Sequence, residues 1–118
     1  MKKKIGMMLV GVSLLAAFSV SARELTAKEK DLIAGEVKSQ MKDPESARFS
    51  WQDYLGSVTY CFYVNGKNSY GGYTGDTPVV AIVLQDDKGA LFSASTTIYG
   101  GDNRSIGQEI CAASGYKV

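Results

Sequence analysis

The chain has 118 residues, of which 45% are hydrophobic and 21% charged, and its formal net charge at pH 7 is +1. This balance is typical of one small globular domain and lacks the basic excess of a nucleic-acid-binding protein. The chain has no histidine, so the most common general base and metal ligand is missing. We therefore expect a protein that is not an enzyme, with no metal, no cofactor and no nucleic-acid partner.

Residues 1–22 have the pattern of a secretory signal peptide. Three lysines at positions 2–4 precede an apolar segment over residues 5–18, and small residues lead to a cleavage site after Ala22. The apolar segment is shorter than the roughly 20 residues that span a bilayer, which disfavours a retained membrane anchor. We expect cleavage to leave one domain, residues 23–118, in the periplasm or outside the cell, with no stable membrane anchor.

Cys61 and Cys111 are the two cysteines of the chain. Thiols of exported proteins oxidise and persist as disulfides, so we predict a disulfide between them. A bridge that closes a loop of this length stabilises a domain by about 4 kcal/mol on the chain-entropy model. A reactive thiol is the alternative, but a catalytic cysteine normally needs a nearby base.

The first predicted element is a helix. Thr26 and Glu29 form a T-x-x-E capping box, which predicts that the helix begins there. We expect it to end near Lys42, because Pro44 disfavours helical geometry in the residue before it. Asp43 is then expected to cap a second short turn, with Pro44 at its first position. An apolar stripe predicts which face packs on a sheet: Leu32, Ile33, Val37 and Met41.

Four strands are predicted next. The first is short and contains Phe49 and Trp51, with Tyr54 as its furthest candidate residue, and the second alternates over residues 58–64. The third, over residues 79–84, has no polar residue and is expected to be a central strand covered on both faces.

The last strand and a second helix complete the predicted fold. The fourth strand covers residues 90–99, and a capping box of Ser105 and Gln108 predicts a short helix that Gly115 ends. The fold class is therefore α+β: an N-terminal helix packed on a four-stranded antiparallel meander sheet, with a short C-terminal helix pinned by the disulfide.

The connection between the second and third strands is the candidate recognition site. It has no apolar periodicity, and its composition resembles that of an antibody paratope, in which rigid aromatic rings stand beside small polar residues. An alternative, to which we give slightly more weight, is that the tyrosines pack on the sheet edge and the asparagines cap the loop backbone. Both can hold at once. The candidate residues are Asn65, Lys67, Asn68, Tyr70 and Tyr73.

Two segments together resemble a known group of proteins. DPESARF (residues 43–49) and C-x-x-VN-x-KNSYGGYTG (residues 61–75) are similar to small secreted or periplasmic bacterial proteins. In those proteins a KDP-x-SA-x-F turn precedes a cysteine strand and a VNAKN-x-x-GGY-x-G loop. The resemblance covers about a third of the chain and implies an exported domain with a helix before a sheet, but no function. This chain departs from the pattern at Gly66, in place of alanine, and at Asp76 and Thr77.

Three functions are compatible with these features. The leading hypothesis is an exported, monomeric binding or inhibitory module that recognises a protein or an envelope component through the loop. The second is a structural subunit of an envelope or secretion assembly, which makes contact through the first helix or a sheet edge. The least favoured is a small hydrolase that uses carboxylates such as Asp76 and Asp102, both of which are more simply explained as solvated loop residues.

Overall fold

The computed structural model describes residues 22–118. The predicted signal peptide, apart from Ala22, lies outside the described residues. Among residues 22–118, no helix is long and apolar enough to cross a membrane. The main elements are α1 (Ala27–Lys38), β1 (Arg48–Ser50), β2 (Thr59–Asn65), β3 (Thr77–Gln85), β4 (Leu91–Ile98) and α2 (Arg104–Ala113). Short 3-10 turns precede β1 and α2, at Pro44–Ser46 and Gly101–Asn103.

The four strands form one antiparallel sheet in the order β1-β2-β3-β4. Phe49 of β1 lies opposite Val64 of β2, and Tyr60 of β2 lies opposite Ala81 of β3. Ala81 in turn lies opposite Thr96 of β4. The predicted meander and the α+β fold class are confirmed.

Helix α1 begins as the capping box predicts. The Thr26 hydroxyl accepts from the backbone N–H of Glu29, and the Glu29 carboxylate accepts from the backbone N–H of Thr26. Ile33 and Val37 are fully buried against the sheet. The helix ends at Lys38, earlier than the predicted end near Lys42. The Ser39 N–H and hydroxyl bond to the last carbonyls of the helix, so the chain can turn before Pro44.

The turn at Pro44–Ser46 has Pro44 at its first position, as predicted, but Asp43 does not cap it. No hydrogen bond joins the Asp43 side chain to the turn. The Ser46 hydroxyl instead donates to the Asp43 carbonyl at 2.7 Å. The side chain that stabilises the turn is thus its last residue, Ser46, and a sequence pattern for N-cap residues does not detect such a bond.

Alternation along β2 separates the two faces of the sheet. Gln40, which follows α1, donates its side-chain amide to the Thr96 hydroxyl. Thr96 lies opposite Ala81, which lies opposite Tyr60, so the three side chains are on one face of the sheet. Tyr60 and Phe62 are therefore on the face that α1 covers. Cys61 lies on the opposite face and forms the predicted disulfide with Cys111 of α2. Both cysteines are buried, so the bond pins α2 to the middle of the sheet.

The prediction that β3 is covered on both faces is correct only for its first half. Val79, Val80 and Ala81 are buried, but Ile82 and Leu84 are 49% and 50% exposed. Helix α2 has ten residues and is held at Cys61, which lies opposite Val80. The second half of β3 therefore extends beyond the helix.

The predicted capping box of α2 is wrong. The helix begins at Arg104, and its N-cap residue Asn103 makes no side-chain capping bond. The end of α2 is as predicted: Gly115 adopts φ of 89° and the Tyr116 N–H bonds to the Cys111 carbonyl at 2.9 Å.

The first strand is shorter than predicted, since it ends at Ser50 before Trp51 and Tyr54. The Trp51 ring still packs on the sheet, with its centroid 5.0 Å from that of Phe49 and 4.9 Å from that of Phe62. Tyr54 pairs instead with Arg23 in an isolated antiparallel bridge. Aromatic packing of Trp51, together with the backbone bonds between Tyr54 and Arg23, holds residues 51–54 against the domain.

Candidate functional site

The connection between β2 and β3 is an ordered hairpin, which we call the projecting hairpin (residues 66–76). Lys67 pairs with Tyr73 in an antiparallel bridge. The Thr74 N–H donates to the Gly66 carbonyl at 3.1 Å. The segment that looks irregular in sequence is therefore a two-stranded extension of the sheet.

Asn65, at the end of β2, closes the base of the projecting hairpin. Its side-chain Oδ1 accepts from the Gly75 N–H at 3.0 Å. Gly75 has φ of 94°, a conformation that favours glycine because other residues place a Cβ against the backbone. The role of the Asn65 side chain is thus to hold the loop backbone.

Asn68 organises the tip. Its Oδ1 accepts from the N–H groups of Tyr70 at 2.9 Å and Gly72 at 3.1 Å. Its backbone carbonyl accepts from Gly71, and its N–H donates to the Gly72 carbonyl. Gly71 has φ of 83°, so the tip is a three-residue hairpin turn that ends on a left-handed glycine. Five residues thus form a turn with four internal hydrogen bonds.

Tyr70 occupies the outermost position of this turn, and its side chain is free. The residue is 97% exposed. Tyr54, Tyr60, Phe62 and Tyr116 are buried in the core, whereas the Tyr70 ring contacts water on nearly all sides. The backbone beneath it is fixed by Asn68, so the ring stands on a rigid support.

Tyr73 has a different environment, although it is only three residues away. The Arg48 guanidinium lies 3.9 Å from the centroid of the Tyr73 ring, and the Lys67 ammonium lies 5.6 Å from it. Both separations are within the range of cation–π attraction. Tyr73 is half-buried by these contacts, which fasten the projecting hairpin to β1.

Ser46 joins the segment of residues 43–49 to the projecting hairpin. Its hydroxyl accepts from the Lys67 N–H at 3.0 Å while it donates to the Asp43 carbonyl at 2.7 Å. One buried hydroxyl therefore links the Pro44 turn to the projecting hairpin. The two sequence motifs form a single structural unit.

A hollow of about 190 Å³ lies beside this junction, between residues 41–43 and the base of the projecting hairpin. Val64 forms part of its floor, and Lys42 and Lys67 are among its lining residues. A Cβ built on Gly66 would lie 2.5 Å from the Met41 methyl carbon. The glycine at this position leaves room for the methionine side chain.

The structure gives the five predicted site residues different positions. Lys67 and Tyr73 are brought together as a cross-strand pair, Asn65 and Asn68 hold backbone, and only Tyr70 points into solvent unengaged. Sequence reasoning did not identify Arg48 and Ser46. Arg48 lies opposite Asn65 in the sheet register, so a correct register for β1 would have placed it beside the hairpin.

The most strongly perturbed carboxyl group lies at the other end of the sheet. The two terminal guanidinium nitrogens of Arg23 each donate to one oxygen of the Glu29 carboxylate at 2.7 Å. The backbone N–H groups of Thr26 and Leu91 donate to it at 2.9 and 2.8 Å. The hydrogen bonds from Arg23, which outweigh desolvation, lower the pKa of Glu29 to about 2. Both oxygens of the Glu29 carboxylate accept hydrogen bonds from within the domain. The group therefore joins α1 to β4 and has no oxygen available to a substrate.

The buried phenols are structural as well. Burial raises the pKa of Tyr60, and its hydroxyl donates to the Gln52 carbonyl at 2.6 Å and accepts from the Gln52 N–H at 3.0 Å. Burial also raises the pKa of Tyr116, whose hydroxyl accepts from the Leu55 N–H at 3.1 Å. Both hydroxyls serve to fasten the segment after β1 to the core.

The carboxylates considered for hydrolysis are both exposed. The Asp76 backbone carbonyl accepts from the Arg104 guanidinium, so the end of the projecting hairpin lies beside the start of α2. Asp102 precedes Arg104 by two residues. Across residues 22–118, no group of three or more His, Cys, Asp or Glu side chains is arranged to hold a metal ion.

Side chains from the first helix and the residues after it cover parts of the outer edge of β4. The Gln40 amide donates to the Thr96 carbonyl at 3.1 Å, and the Glu29 carboxylate accepts from the Leu91 N–H at 2.8 Å. These groups would otherwise be free to pair with another strand. Covering a sheet edge in this way is a common means of preventing edge-to-edge association.

No protein-family model, no curated protein and no solved structure matches this chain.

Proposed function

We propose that this protein is an exported binding or inhibitory module that recognises a protein or an envelope component through the projecting hairpin. The observation that carries the proposal is the 97% exposure of Tyr70 at the tip of a turn whose backbone is fixed by Asn68. The Cys61–Cys111 disulfide supports a location outside the cytoplasm, in the periplasm or after secretion, because disulfides persist in oxidising compartments.

The energetic argument concerns the cost of ordering a binding group. Tyrosine buries about 150–250 Å² of surface when it is fully enclosed, which makes it a common anchor of interfaces. A flexible loop would lose conformational entropy when its partner immobilised it. The projecting hairpin is already ordered by its own hydrogen bonds, so most of the surface that Tyr70 buries would contribute to affinity.

The test is affinity capture from an envelope extract with the oxidised protein, the Tyr70→Ala variant and the Phe92→Ala variant. Phe92 is a matched control, since it is also an exposed aromatic residue, at 58%, and lies at the opposite end of the sheet. We expect a component that wild type and Phe92→Ala capture and that Tyr70→Ala does not. Equal capture by all three, or none by wild type, would contradict recognition through the hairpin.

The second candidate function, a structural subunit of an envelope assembly, is favoured by the exposure of Ile82 and Leu84 on the face that α2 leaves open. This is a different surface from the sheet edge, where Gln40 and Glu29 occupy outward-facing groups. A defined oligomer in size-exclusion chromatography that Ile82→Ser and Leu84→Ser together disrupt would support it. If wild type elutes as a monomer, the structural-subunit function is contradicted and the monomeric binding module is favoured.

A further inference from the structure

We propose that the hollow at the base of the projecting hairpin is a second contact point, which takes an apolar side chain followed by an acidic residue from a partner protein. The inference rests on the proposed recognition function and specifies the chemistry of the partner. It concerns a surface that Tyr70 does not line, so the two ideas can fail separately.

The position of the hollow is the first argument. It lies where the Pro44 turn meets the projecting hairpin, which the Ser46 hydroxyl joins by bonds of 2.7 and 3.0 Å. A partner that bound the tip would approach along the hairpin and meet this junction next. The volume of about 190 Å³ suits a single side chain and not a cofactor, for which pockets of about 300 Å³ or more are typical.

The floor of the hollow is apolar and adaptable. Val64 is 3% exposed, Ile98 at the end of β4 is half-buried, and Met41 lies at the side. Methionine has an unbranched, polarisable side chain that conforms to different neighbours. An aliphatic side chain such as leucine would therefore find apolar surface on more than one side.

The rim carries excess positive charge. Lys42 and Lys67 both line the hollow, and within residues 22–118 neither forms an ion pair. Asp43 is the acidic residue among the lining side chains. Two lysines against one carboxylate favour a partner with an acidic residue next to its apolar anchor.

Gly66 provides the means of testing the hollow itself. An added Cβ would lie 2.5 Å from the Met41 methyl carbon, which is the far end of a flexible side chain. The Gly66→Ala variant should therefore fold, with the Met41 side chain displaced. Its φ is not in the left-handed region, so alanine introduces no backbone strain. Because Met41 lines the hollow, its displacement should alter the binding surface directly.

The experiment is a titration of the ¹⁵N-labelled, oxidised protein, followed by amide chemical shifts. The probes are acetyl-Leu-Asp-amide and its neutral isostere acetyl-Leu-Asn-amide. We expect the acidic probe to shift the amides of Gly66, Lys67, Thr74 and Thr77. It should bind roughly five-fold more tightly than the neutral probe, since each exposed ion pair contributes about 0.2–1 kcal/mol. High salt should reduce that ratio.

Four variants separate the contributions. Gly66→Ala should weaken both probes, and Lys42→Ala with Lys67→Ala should remove the preference for the acidic probe. Tyr70→Ala and Lys88→Ala, the latter at the opposite end of the sheet, should change neither.

The proposal is overturned if neither probe shifts these amides, or if both bind equally well to wild type. Equally tight binding of free hexanoate would assign the hollow to small carboxylic acids and would also overturn it. Loss of capture by Tyr70→Ala in the extract experiment, with the probe titration unchanged, would support the hairpin and the hollow independently.

Discussion

The two ends of the sheet are built on opposite principles. At the β3–β4 end, the charged groups of Arg23 and Glu29 are bonded to each other and to backbone, and the carboxylate is 3% exposed. At the β2–β3 end, hydrogen bonds are equally dense, but they lie within the backbone of the projecting hairpin. They leave the side chain of Tyr70 97% exposed.

The Arg23–Glu29 pair stabilises the fold, whereas Tyr70 is available to a partner. A side chain whose hydrogen-bonding capacity is used inside the domain has little to offer a partner, whereas a free ring on a fixed backbone can bind without prior ordering. Substitutions at the first end should therefore change stability, and those at the hairpin tip should change binding. Stability measurements can test this contrast.

Glu29→Ala should have the largest effect on stability. It removes the partner of Arg23, the reciprocal bond of the α1 capping box and the acceptor for the Leu91 N–H. Breaking a buried ion pair costs about 3–5 kcal/mol, and we take the lower figure because the Arg23 side chain is 38% exposed. We expect the free energy of unfolding in urea to fall by about 3 kcal/mol.

The matched variant is Tyr70→Ala, which should change the free energy of unfolding by no more than about 0.5 kcal/mol. A loss for Tyr70→Ala comparable to that for Glu29→Ala would show that the exposed ring supports the fold. The contrast between the two ends would then be wrong.

Acid should lower the free energy of unfolding, because it protonates the Glu29 carboxylate. The pKa of Glu29 is about 2 in the folded protein and 4.5 ordinarily, so folding favours the ionised carboxylate. This stabilisation is complete above pH 4.5 and is lost as the pH falls towards 2. We expect wild type to lose about 2 kcal/mol by pH 3 from this group. Glu29→Gln should lack that part of the pH dependence, and parallel curves for the two proteins would contradict the assignment.

The sequence predicted well those features that depend on neighbouring residues. The α1 capping box needs only Thr26 and Glu29, and the disulfide was predicted from two cysteines in a chain with the pattern of a signal peptide. The additional bonds of Glu29 could not be predicted, because Leu91 lies far along the chain and Arg23 is positioned by its backbone bridge to Tyr54. The same applies to Ser46, whose hydroxyl bonds to a residue far along the chain.

The candidate site shows the same division. Asparagine and glycine at the tip of the projecting hairpin indicate a turn, and the alternative that Asn65 and Asn68 bond the local backbone describes their contacts. Nothing local distinguishes Tyr70 from Tyr73. The difference arises because Arg48 lies opposite Asn65 in the register and so reaches the Tyr73 ring. Tertiary contacts therefore decide which tyrosine is free.

Tyr73→Leu should have the smallest stability effect that is still measurable. It removes the ring that lies 3.9 Å from the Arg48 guanidinium and 5.6 Å from the Lys67 ammonium while keeping an apolar side chain. Cation–π attraction at an exposed site contributes about 0.5–1 kcal/mol, so we expect a loss of that order in urea unfolding. Tyr73→Phe keeps the ring and should remain close to wild type. If Tyr73→Leu and Tyr73→Phe have the same free energy of unfolding, the aromatic ring is not what fastens the projecting hairpin to β1. The rigidity that supports Tyr70 would then depend on the hydrogen bonds of the hairpin, among them those of Asn65, Asn68 and Ser46. Amide hydrogen exchange of Lys67 and Gly71 in the two variants would show it.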